Sequence, residues 1–243
     1  MARALVEGGA HSIRTGRWRD ETCLVAVGGA YKPGHADEER ALFEDLERFV
    51  RKAFGVTSID YRWTNEDYES MDGMPFVGRA RSGAEHLYVA TGFNAWGITN
   101  GTAAGMILAD LICDRANPWA AAFDATRIKP AAGGASFVSE NVSTGIHLVE
   151  GYVRGLPRAL ADLSPGEGAV LKLNGERVAA YKDEQGMVHA VSAVCTHLRC
   201  IVGWNPADRT WDCPCHGSRF DRDGAVIHGP ATARLERKPL SAP

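Results

Sequence analysis

Two short segments rich in cysteine and histidine constrain this chain more than any other feature of its sequence. Four of the six cysteines and two of the eight histidines lie between Cys195 and His216. Cys195 begins a Cys-x-His motif, and Cys213 begins a Cys-x-x-His motif. Two thiolates and two imidazoles are the ligands of [2Fe–2S] centres in which histidines replace two cysteines on one iron. The sequence therefore predicts an iron–sulfur site built from these two segments.

A structural zinc ion is the main alternative, because zinc also binds cysteine and histidine. Zinc-binding pairs usually follow Cys-x2-4-Cys and His-x3-5-His spacings, whereas each segment here contributes one cysteine and one histidine. A zinc site with these four ligands would also leave Cys200 and Cys215 without a role. These observations favour the iron–sulfur site.

The two segments, residues 195–200 and 213–218, resemble the ligand loops of the Rieske iron–sulfur domain, in the disulfide-bearing form found in cytochrome bc complexes. Residues 229–231 resemble the third loop of that family, which covers the cluster. The resemblance implies that two thiolates bind the inner iron and two imidazoles bind the outer one. These ligands would be Cys195 and Cys213 for the inner iron, and His197 and His216 for the outer iron.

The same resemblance assigns roles to further residues of the loops. A disulfide between Cys200 and Cys215 would join the two loops, and Ser218 would donate a hydrogen bond to a sulfur of the cluster. The chain also departs from the family pattern. Arg199 stands where the family usually has glycine, and Phe220 stands where high-potential members have a tyrosine that donates a second such bond.

The composition limits the kind of protein that carries this site. The chain has 243 residues, of which 45% are hydrophobic and 23% are charged, as in ordinary globular domains. A formal net charge of −3 argues against a nucleic-acid-binding protein. No apolar run is long enough for a transmembrane helix, and the first residues lack the apolar core of a secretory signal. We therefore predict a cytoplasmic protein that binds no nucleic acid and has no transmembrane segment.

The N-terminal part of the chain predicts both strands and helices. Residues 11–18 and 22–27 flank a short polar turn and predict a β-hairpin, and residues 59–63 predict a further strand. Apolar residues recur at helical spacing from Asp37 to Phe54, which predicts an amphipathic helix.

A glycine-rich turn separates a predicted buried strand at residues 87–91 from a helix that starts near Thr99 or Asn100. The helix is apolar on nearly every side, so we expect it to be buried. Three segments of this region resemble the C-terminal part of the FAD-dependent oxidoreductases of the D-amino-acid oxidase and sarcosine oxidase superfamily. These segments are residues 28–29, 72–78 and 92–101.

In that superfamily the helix start lies beside the pyrimidine edge of the flavin, so the resemblance implies Gly97, Ile98 and Thr99 as flavin contacts. Asp72 is expected to be a turn residue, and no catalytic residue is assigned. The dinucleotide-binding motif Gly-x-Gly-x-x-Gly occurs nowhere in the 243 residues. We therefore expect Met1 to fall in the middle of a longer protein, and FAD to bind only to that full-length protein.

Three parts follow from these patterns: residues 1–127 as the C-terminal portion of a flavoprotein domain, 128–157 as a linker and helix, and 158–243 as a Rieske domain. In the last part, short apolar runs alternate with turn signals from residue 169 to residue 238 and predict antiparallel strands. The expected fold class is an α+β lobe, an incomplete flavoprotein oxidoreductase fold, followed by a small all-β Rieske domain.

The connecting part predicts a linker at residues 127–135 and an amphipathic helix from Ser136 to about Arg154. We expect the apolar stripe of this helix to dock onto one of the two lobes. The stripe consists of Val138, Val142, Ile146, Val149 and Val153.

Together the two resemblances imply a redox protein with two cofactors, FAD and a [2Fe–2S] cluster. The flavin would oxidise an amine or an amino acid, and the cluster would pass the electrons one at a time to an external protein or small molecule. A stand-alone Rieske electron carrier with a vestigial flavoprotein lobe is the alternative. A zinc-stapled structural module is the third hypothesis.

Overall fold

The computed structural model describes residues 2–6, 9–29, 31, 36–128, 130–153 and 159–239. The chain forms two compact units. The first unit combines Met1–Trp63 with Ser143–Pro243, and the second consists of Thr64–Val142. The predicted domain boundaries at residues 127 and 158 were drawn from family resemblance and stay a prediction. Residue 158 itself lies outside the described residues.

An antiparallel meander opens the first unit. Its strands, paired in chain order, are β1 (Ala2–Val6), β2 (Gly9–Trp18) and β3 (Glu21–Val27). Strands β2 and β3 confirm the predicted hairpin, and its turn residues Arg19 and Asp20 have φ values of 47° and 66°. Positive φ at both central residues is typical of a type I′ turn, whose twist matches that of the flanking strands.

Helix α1 (Ala36–Phe54) confirms the predicted amphipathic helix and buries Val50. The ring of Phe49 stacks on the ring of His11 in β2, with 4.4 Å between the centroids. A Cβ atom at Gly28 would lie 2.4 Å from Nδ1 of His11, so the backbone approaches this ring too closely for any residue but glycine.

The predicted strand at residues 59–63 is wrong. These residues form no strand, and the side chains of Tyr61 and Trp63 are exposed. Alternation of apolar and polar residues favours a strand only where another strand edge is in place to pair with it. In the described part of the chain no strand pairs with this segment.

The described part of the second unit contains two strands, two whole helices and residues 130–142 of a third helix. The strands are β4 (Phe76–Arg79) and β5 (Tyr88–Thr91), and the whole helices are α2 (Gly97–Ile112) and α3 (Ala120–Phe123). Strands β4 and β5 pair antiparallel. Val77 of β4 packs with Ala104 and Ile107 of α2 to form the buried core. Strand β5 and helix α2 confirm the predicted strand and helix, although the helix begins two residues before Thr99. The predicted burial of the strand is wrong, because Leu87 is 59% exposed and Ala90 and Thr91 are also exposed.

The predicted burial of α2 is wrong. Ile98 is 83% exposed, and Met106 and Ile112 are more than half exposed. The two buried residues, Ala104 and Ile107, belong to the core cluster that includes β4 and α3. A helix that is hydrophobic on every side is buried only where other elements pack against every side. In the described residues, β4 and α3 pack against one side of α2.

Helix α4 (Pro130–Val153) includes most of the segment that was predicted as a linker. Proline is favoured at the first helical position because its missing N–H would have no partner there and its fixed φ suits a helix. The helix starts six residues before the predicted Ser136, although Gly133 and Gly134 in its first turns have low helix propensity. Among the described helices, none has both the length and the hydropathy needed to cross a membrane.

The apolar stripe of α4 does not dock as predicted. Its five members are each more than half exposed: Val138, Val142, Ile146, Val149 and Val153. Within the first unit the opposite side of the helix makes the contacts, through Thr144 and Gly151 among others. The apolar face of this helix is therefore not the face that packs against the rest of the first unit.

The rest of the first unit is all-β after a short 3₁₀ turn, Leu160–Asp162. Its seven strands are β6 (Gly168–Leu173), β7 (Glu176–Lys182), β8 (Val188–Ser192), β9 (Gly203–Asn205), β10 (Thr210–Asp212), β11 (Arg219–Phe220) and β12 (Val226–His228). They form one sheet in the order β6–β7–β8 and another in the order β12–β11–β10–β9. The strand expected at residues 235–238 is reduced to an isolated bridge between Arg237 and Val191. An α+β region and a small all-β region are thus both present, as the predicted fold class requires.

A buried ion pair holds the second unit together between Asp72 and Arg127. The guanidinium donates from Nε to Oδ2 of Asp72 over 2.8 Å and from Nη2 to Oδ1 over 2.7 Å. Both side chains are less than a tenth exposed. These hydrogen bonds hold the pKa of the Asp72 carboxyl well below its usual range. Asp72 is therefore a structural residue, as expected of this turn.

Removing one partner of this pair should destabilise the second unit. For Asp72→Asn we expect a loss of roughly 3–5 kcal/mol in the free energy of unfolding, because the Arg127 charge stays buried without its counter-ion. Folding lowers the pKa of Asp72, so the pair contributes fully above the unfolded value of about 3.9 and its contribution is lost as the pH falls below it. Urea unfolding between pH 3 and pH 7 measures both effects.

The matched control is Asp45→Asn, which breaks the exposed pair between Asp45 and Arg48. An exposed pair contributes less than about 1 kcal/mol. Equal losses in the two variants would contradict a structural role for the buried pair.

Candidate iron–sulfur site

Two loops of the same construction carry the predicted ligands. In the first loop, Cys195 donates its N–H to the carbonyl of Cys200 over 2.8 Å, and the N–H of Arg199 donates to the carbonyl of Cys195 over 3.0 Å. In the second loop, the N–H of Cys213 donates to Ser218 and that of Gly217 donates to Cys213, over 2.8 and 3.0 Å. In each loop, two backbone hydrogen bonds to the first cysteine close the turn.

The fourth residue after each first cysteine has the left-handed backbone that such a turn needs. Gly217 has φ of 77° and Arg199 has φ of 63°. Glycine adopts this conformation without steric cost, whereas other residues seldom adopt it. This explains in physical terms why glycine is usual at the position of Arg199, and it marks the first loop as the more strained of the two.

The two predicted thiol ligands lie deep in the domain, next to each other. Cys195 and Cys213 are each 1% exposed. A hydrogen bond from the Cys213 thiol lowers the pKa of Cys195 to about 6, while the same contact and burial raise the pKa of Cys213. A buried sulfur that readily becomes a thiolate is suited to metal binding, because the thiolate is the ligand form.

The two predicted imidazole ligands lie at the surface, also next to each other. The rings of His197 and His216 are perpendicular, with 4.9 Å between their centroids. His197 is half-buried and His216 is exposed. Partial loss of contact with water and the neighbouring His197 ring lower the pKa of His216, which favours the neutral imidazole that a metal ion requires.

A disulfide between Cys200 and Cys215 joins the two loops. The structure thereby bears out the pairing that the resemblance implied. The bond connects Cys200, the last residue of the first loop, to Cys215, which precedes the predicted ligand His216, so the two loops cannot separate while it is intact.

Ser218 is fully buried behind the thiols. Its Oγ accepts a hydrogen bond from the N–H of Ala231 over 3.0 Å and its hydroxyl bonds to the sulfur of Cys195. A hydroxyl in this place can stabilise negative charge on sulfur. Phe220 is also fully buried but has no hydroxyl to add a second bond of this kind.

The predicted thiol and imidazole donors form two separate pairs among the described residues. A tetrahedral zinc ion with bonds of about 2.0–2.3 Å brings its donor atoms to within about 4 Å of each other. Among the described residues, the group of three donors that lie within 4.8 Å of each other is Cys200, Cys213 and Cys215, and two of these are joined in the disulfide. Among the described residues, no group of three donor atoms within 4.8 Å of one another includes both a predicted thiol and a predicted imidazole. Two pairs of donors fit a binuclear centre.

A buried polar network around the second loop escaped the sequence analysis. Asp212 and Arg219 lie on either side of the loop and pair across β10 and β11, with 3.2 Å between Oδ1 and Nε. Arg219 also reaches Asp208, and Asp212 accepts a hydrogen bond from Asn205 over 2.8 Å. The signal available in the sequence was the charged residue next to each end of the Cys213–Ser218 segment.

The predicted flavin contacts lie in the second unit, at the start of α2. Gly97, Ile98 and Thr99 are exposed, and no side chain caps the helix at Trp96. The first N–H groups of a helix favour electron-rich partners, which suits one edge of a flavin. These three contacts stay a prediction.

Loss of the disulfide should loosen the two loops without removing a predicted ligand. The bond closes a loop of 15 residues, and the chain-entropy model gives roughly 3 kcal/mol for a loop of this length. We expect Cys200→Ser and Cys215→Ser to assemble a cluster that is lost faster on warming than that of the parent. Visible absorbance during a temperature ramp measures the loss, and Cys23→Ser is the control. A cluster that is retained as long as in the parent would contradict this role.

Comparison with known proteins assigns both regions. Residues 158–239 match the family model "Rieske [2Fe-2S] domain", and residues 5–111 match the model "FAD dependent oxidoreductase". The Bacillus subtilis (strain 168) protein YhfW, named as a Rieske 2Fe-2S iron–sulfur protein, is 36% identical over 89% of this chain. This chain spans 43% of the length of YhfW.

Two further matches concern the C-terminal region. The iron–sulfur subunit of the cytochrome b6-f complex of Synechococcus elongatus is 35% identical over 42% of this chain and 54% of its own length. The crystal structure of the plasma membrane Rieske protein PetC3 from Synechocystis PCC 6803 is 33% identical over 32% of this chain and 80% of its own, with a TM-score of 0.30. The family matches imply a [2Fe–2S] cluster and FAD as the cofactors. Residues 5–111 are therefore similar to FAD-dependent oxidoreductases, and residues 158–239 are similar to Rieske [2Fe–2S] domains.

Proposed function

We propose that this chain belongs to an oxidoreductase in which electrons from a flavin-dependent oxidation leave one at a time through the Rieske domain. A bound [2Fe–2S] cluster supplies one-electron transfer, and FAD supplies two-electron oxidation. The observation that carries the proposal is the placement of two buried thiols and two surface imidazoles on loops that a disulfide joins.

The protein side chains divide the work at this site. Cys195 and Cys213 would hold the inner iron away from water, because their sulfurs are buried. His197 and His216 would hold the outer iron, and their partial exposure offers a short route to an acceptor at the surface. Ser218 would stabilise negative charge on sulfur through its hydroxyl.

The flavin half-reaction is proposed for the longer protein only. The start of α2 would present the N–H groups of Gly97, Ile98 and Thr99 to the flavin. Resemblance to the D-amino-acid oxidase and sarcosine oxidase superfamily supports an amine or an amino acid as the substrate. The acceptor would be an external protein or small molecule, and a cytoplasmic location stays a prediction.

Metal and flavin content test the proposal most directly. We expect the purified chain to contain about two iron atoms and two acid-labile sulfides, as one [2Fe–2S] cluster requires. We expect no stoichiometric FAD, because the chain lacks the dinucleotide-binding motif. Elemental analysis, sulfide assay and absorption spectra measure these contents. Zinc without iron would overturn the proposal, and FAD at one per chain would overturn the expectation for the flavin.

The reduction potential tests the role of the hydroxyl groups. Rieske clusters span roughly −150 to +300 mV, and hydrogen bonds to sulfur raise the potential because they stabilise the more negative reduced state. Phe220→Tyr should raise the potential by adding a donor, and Ser218→Ala should lower it by removing one. Protein-film voltammetry measures both shifts.

Phe123→Tyr is the control for the added hydroxyl, since Phe123 lies in the second unit. It should leave the potential unchanged. An unchanged potential in Phe220→Tyr as well would mean that this position does not reach the cluster sulfurs.

A further inference from the structure

The C-terminal half of α4, residues 143–153, lies against both ligand loops. The hydroxyl of Tyr152 donates to the carbonyl of Arg199 in the first loop over 2.8 Å. The hydroxyl of Thr144 donates to the carbonyl of Cys215 in the second loop over 3.3 Å. This half-helix falls outside both family matches, which end at residue 111 and begin at residue 158.

The approach of the helix to the first loop is close and supported from both sides. A Cβ atom at Gly151 would lie 2.9 Å from Cβ of Ile201, so the helix can approach this near only with glycine at that position. The guanidinium of Arg177, in β7, donates to the carbonyl of Tyr152. The backbone of Tyr152 is thus hydrogen-bonded to strand β7, while its hydroxyl is hydrogen-bonded to the first ligand loop.

The two hydrogen bonds reach the same two loops that the disulfide joins. Arg199 precedes Cys200, and Cys215 is the other half of the disulfide. Arg199 is also the residue with the strained left-handed backbone, with φ of 63°. The hydrogen bond from Tyr152 to the carbonyl of Arg199 fixes the orientation of the peptide between Arg199 and Cys200. It thereby stabilises a left-handed backbone conformation that is unfavourable for arginine.

We infer that residues 143–153 form a non-covalent clamp that keeps the ligand loops together when the disulfide is reduced. Tyr152 and Thr144 are its positioning residues, and the inference rests on the proposed cluster ligands. Reduction by a dithiol transfers two electrons and two protons to the disulfide, which leaves two cysteine thiols and a cyclic disulfide of the dithiol. The clamp would keep the cluster in place in a reducing compartment, where disulfides are uncommon.

Cluster retention in the presence and absence of dithiothreitol tests the clamp. With the disulfide reduced, the parent should lose its cluster no faster than Cys200→Ser does. Tyr152→Phe removes only the hydroxyl, and in dithiothreitol its cluster should be lost about fivefold faster than that of the parent, equivalent to about 1 kcal/mol for one hydrogen bond. Without the dithiol the same variant should differ from the parent by less than about twofold, because the disulfide still joins the loops.

Matched variants separate the clamp from general destabilisation. Tyr88→Phe removes a hydroxyl that donates to the carbonyl of Glu85 in the second unit, and it should not change cluster loss. In dithiothreitol Thr144→Ser should lose its cluster at the rate of the parent and Thr144→Val should lose it faster, because only serine keeps the hydroxyl. The g-values of the reduced cluster in electron paramagnetic resonance spectra should shift in Tyr152→Phe once the disulfide is reduced.

Combining Tyr152→Phe with Cys200→Ser closes a double-mutant cycle. Faster loss in the double variant than the two single effects predict would support the clamp. Additive effects, or equal loss in Tyr152→Phe and Tyr88→Phe, would overturn it. Absence of iron from the parent would instead overturn the proposed function, so the two failures are distinguishable.

Discussion

The connection between the two ligand loops is the constraint on which the iron–sulfur site depends. Each loop closes through two backbone hydrogen bonds to its own first cysteine, so each holds its shape locally. Neither set of bonds determines where one loop lies relative to the other. That relation is set by the disulfide between Cys200 and Cys215 and by the helix that contacts both loops. The disulfide, this helix and the antiparallel pairing of β9 with β10 together bring the two thiols and the two imidazoles to one place.

Charge is used differently in the two compact units. In the first unit, Arg219 and its carboxylate partners fix the strands from which the second ligand loop projects. In the second unit, Asp72 and Arg127 join the turn before β4 to the segment after α3. A buried ion pair contributes little net stability relative to apolar packing, but loss of one partner is costly. Such pairs therefore enforce geometry more than they add stability.

Helices α2 and α4 both carry apolar side chains that are exposed. Ile98 and the stripe of α4 are exposed although their sequences are those of packed helices. This chain spans 43% of the length of YhfW, so more than half of that protein has no counterpart here.

The sequence by itself determined the ligand loops, the hairpins and most of the strands of the Rieske domain. Those features depend on spacings of a few residues, as in Cys-x-His and in the turn at Arg19 and Asp20, which local chemistry decides. Only the tertiary structure decided which faces are buried. Helix α2 is exposed where its sequence predicts burial, α4 packs by Thr144 and Gly151 instead of its valines, and the residues at 59–63 find no strand to pair with. Burial depends on partners distant in sequence, and a local pattern carries no information about whether those partners are in place.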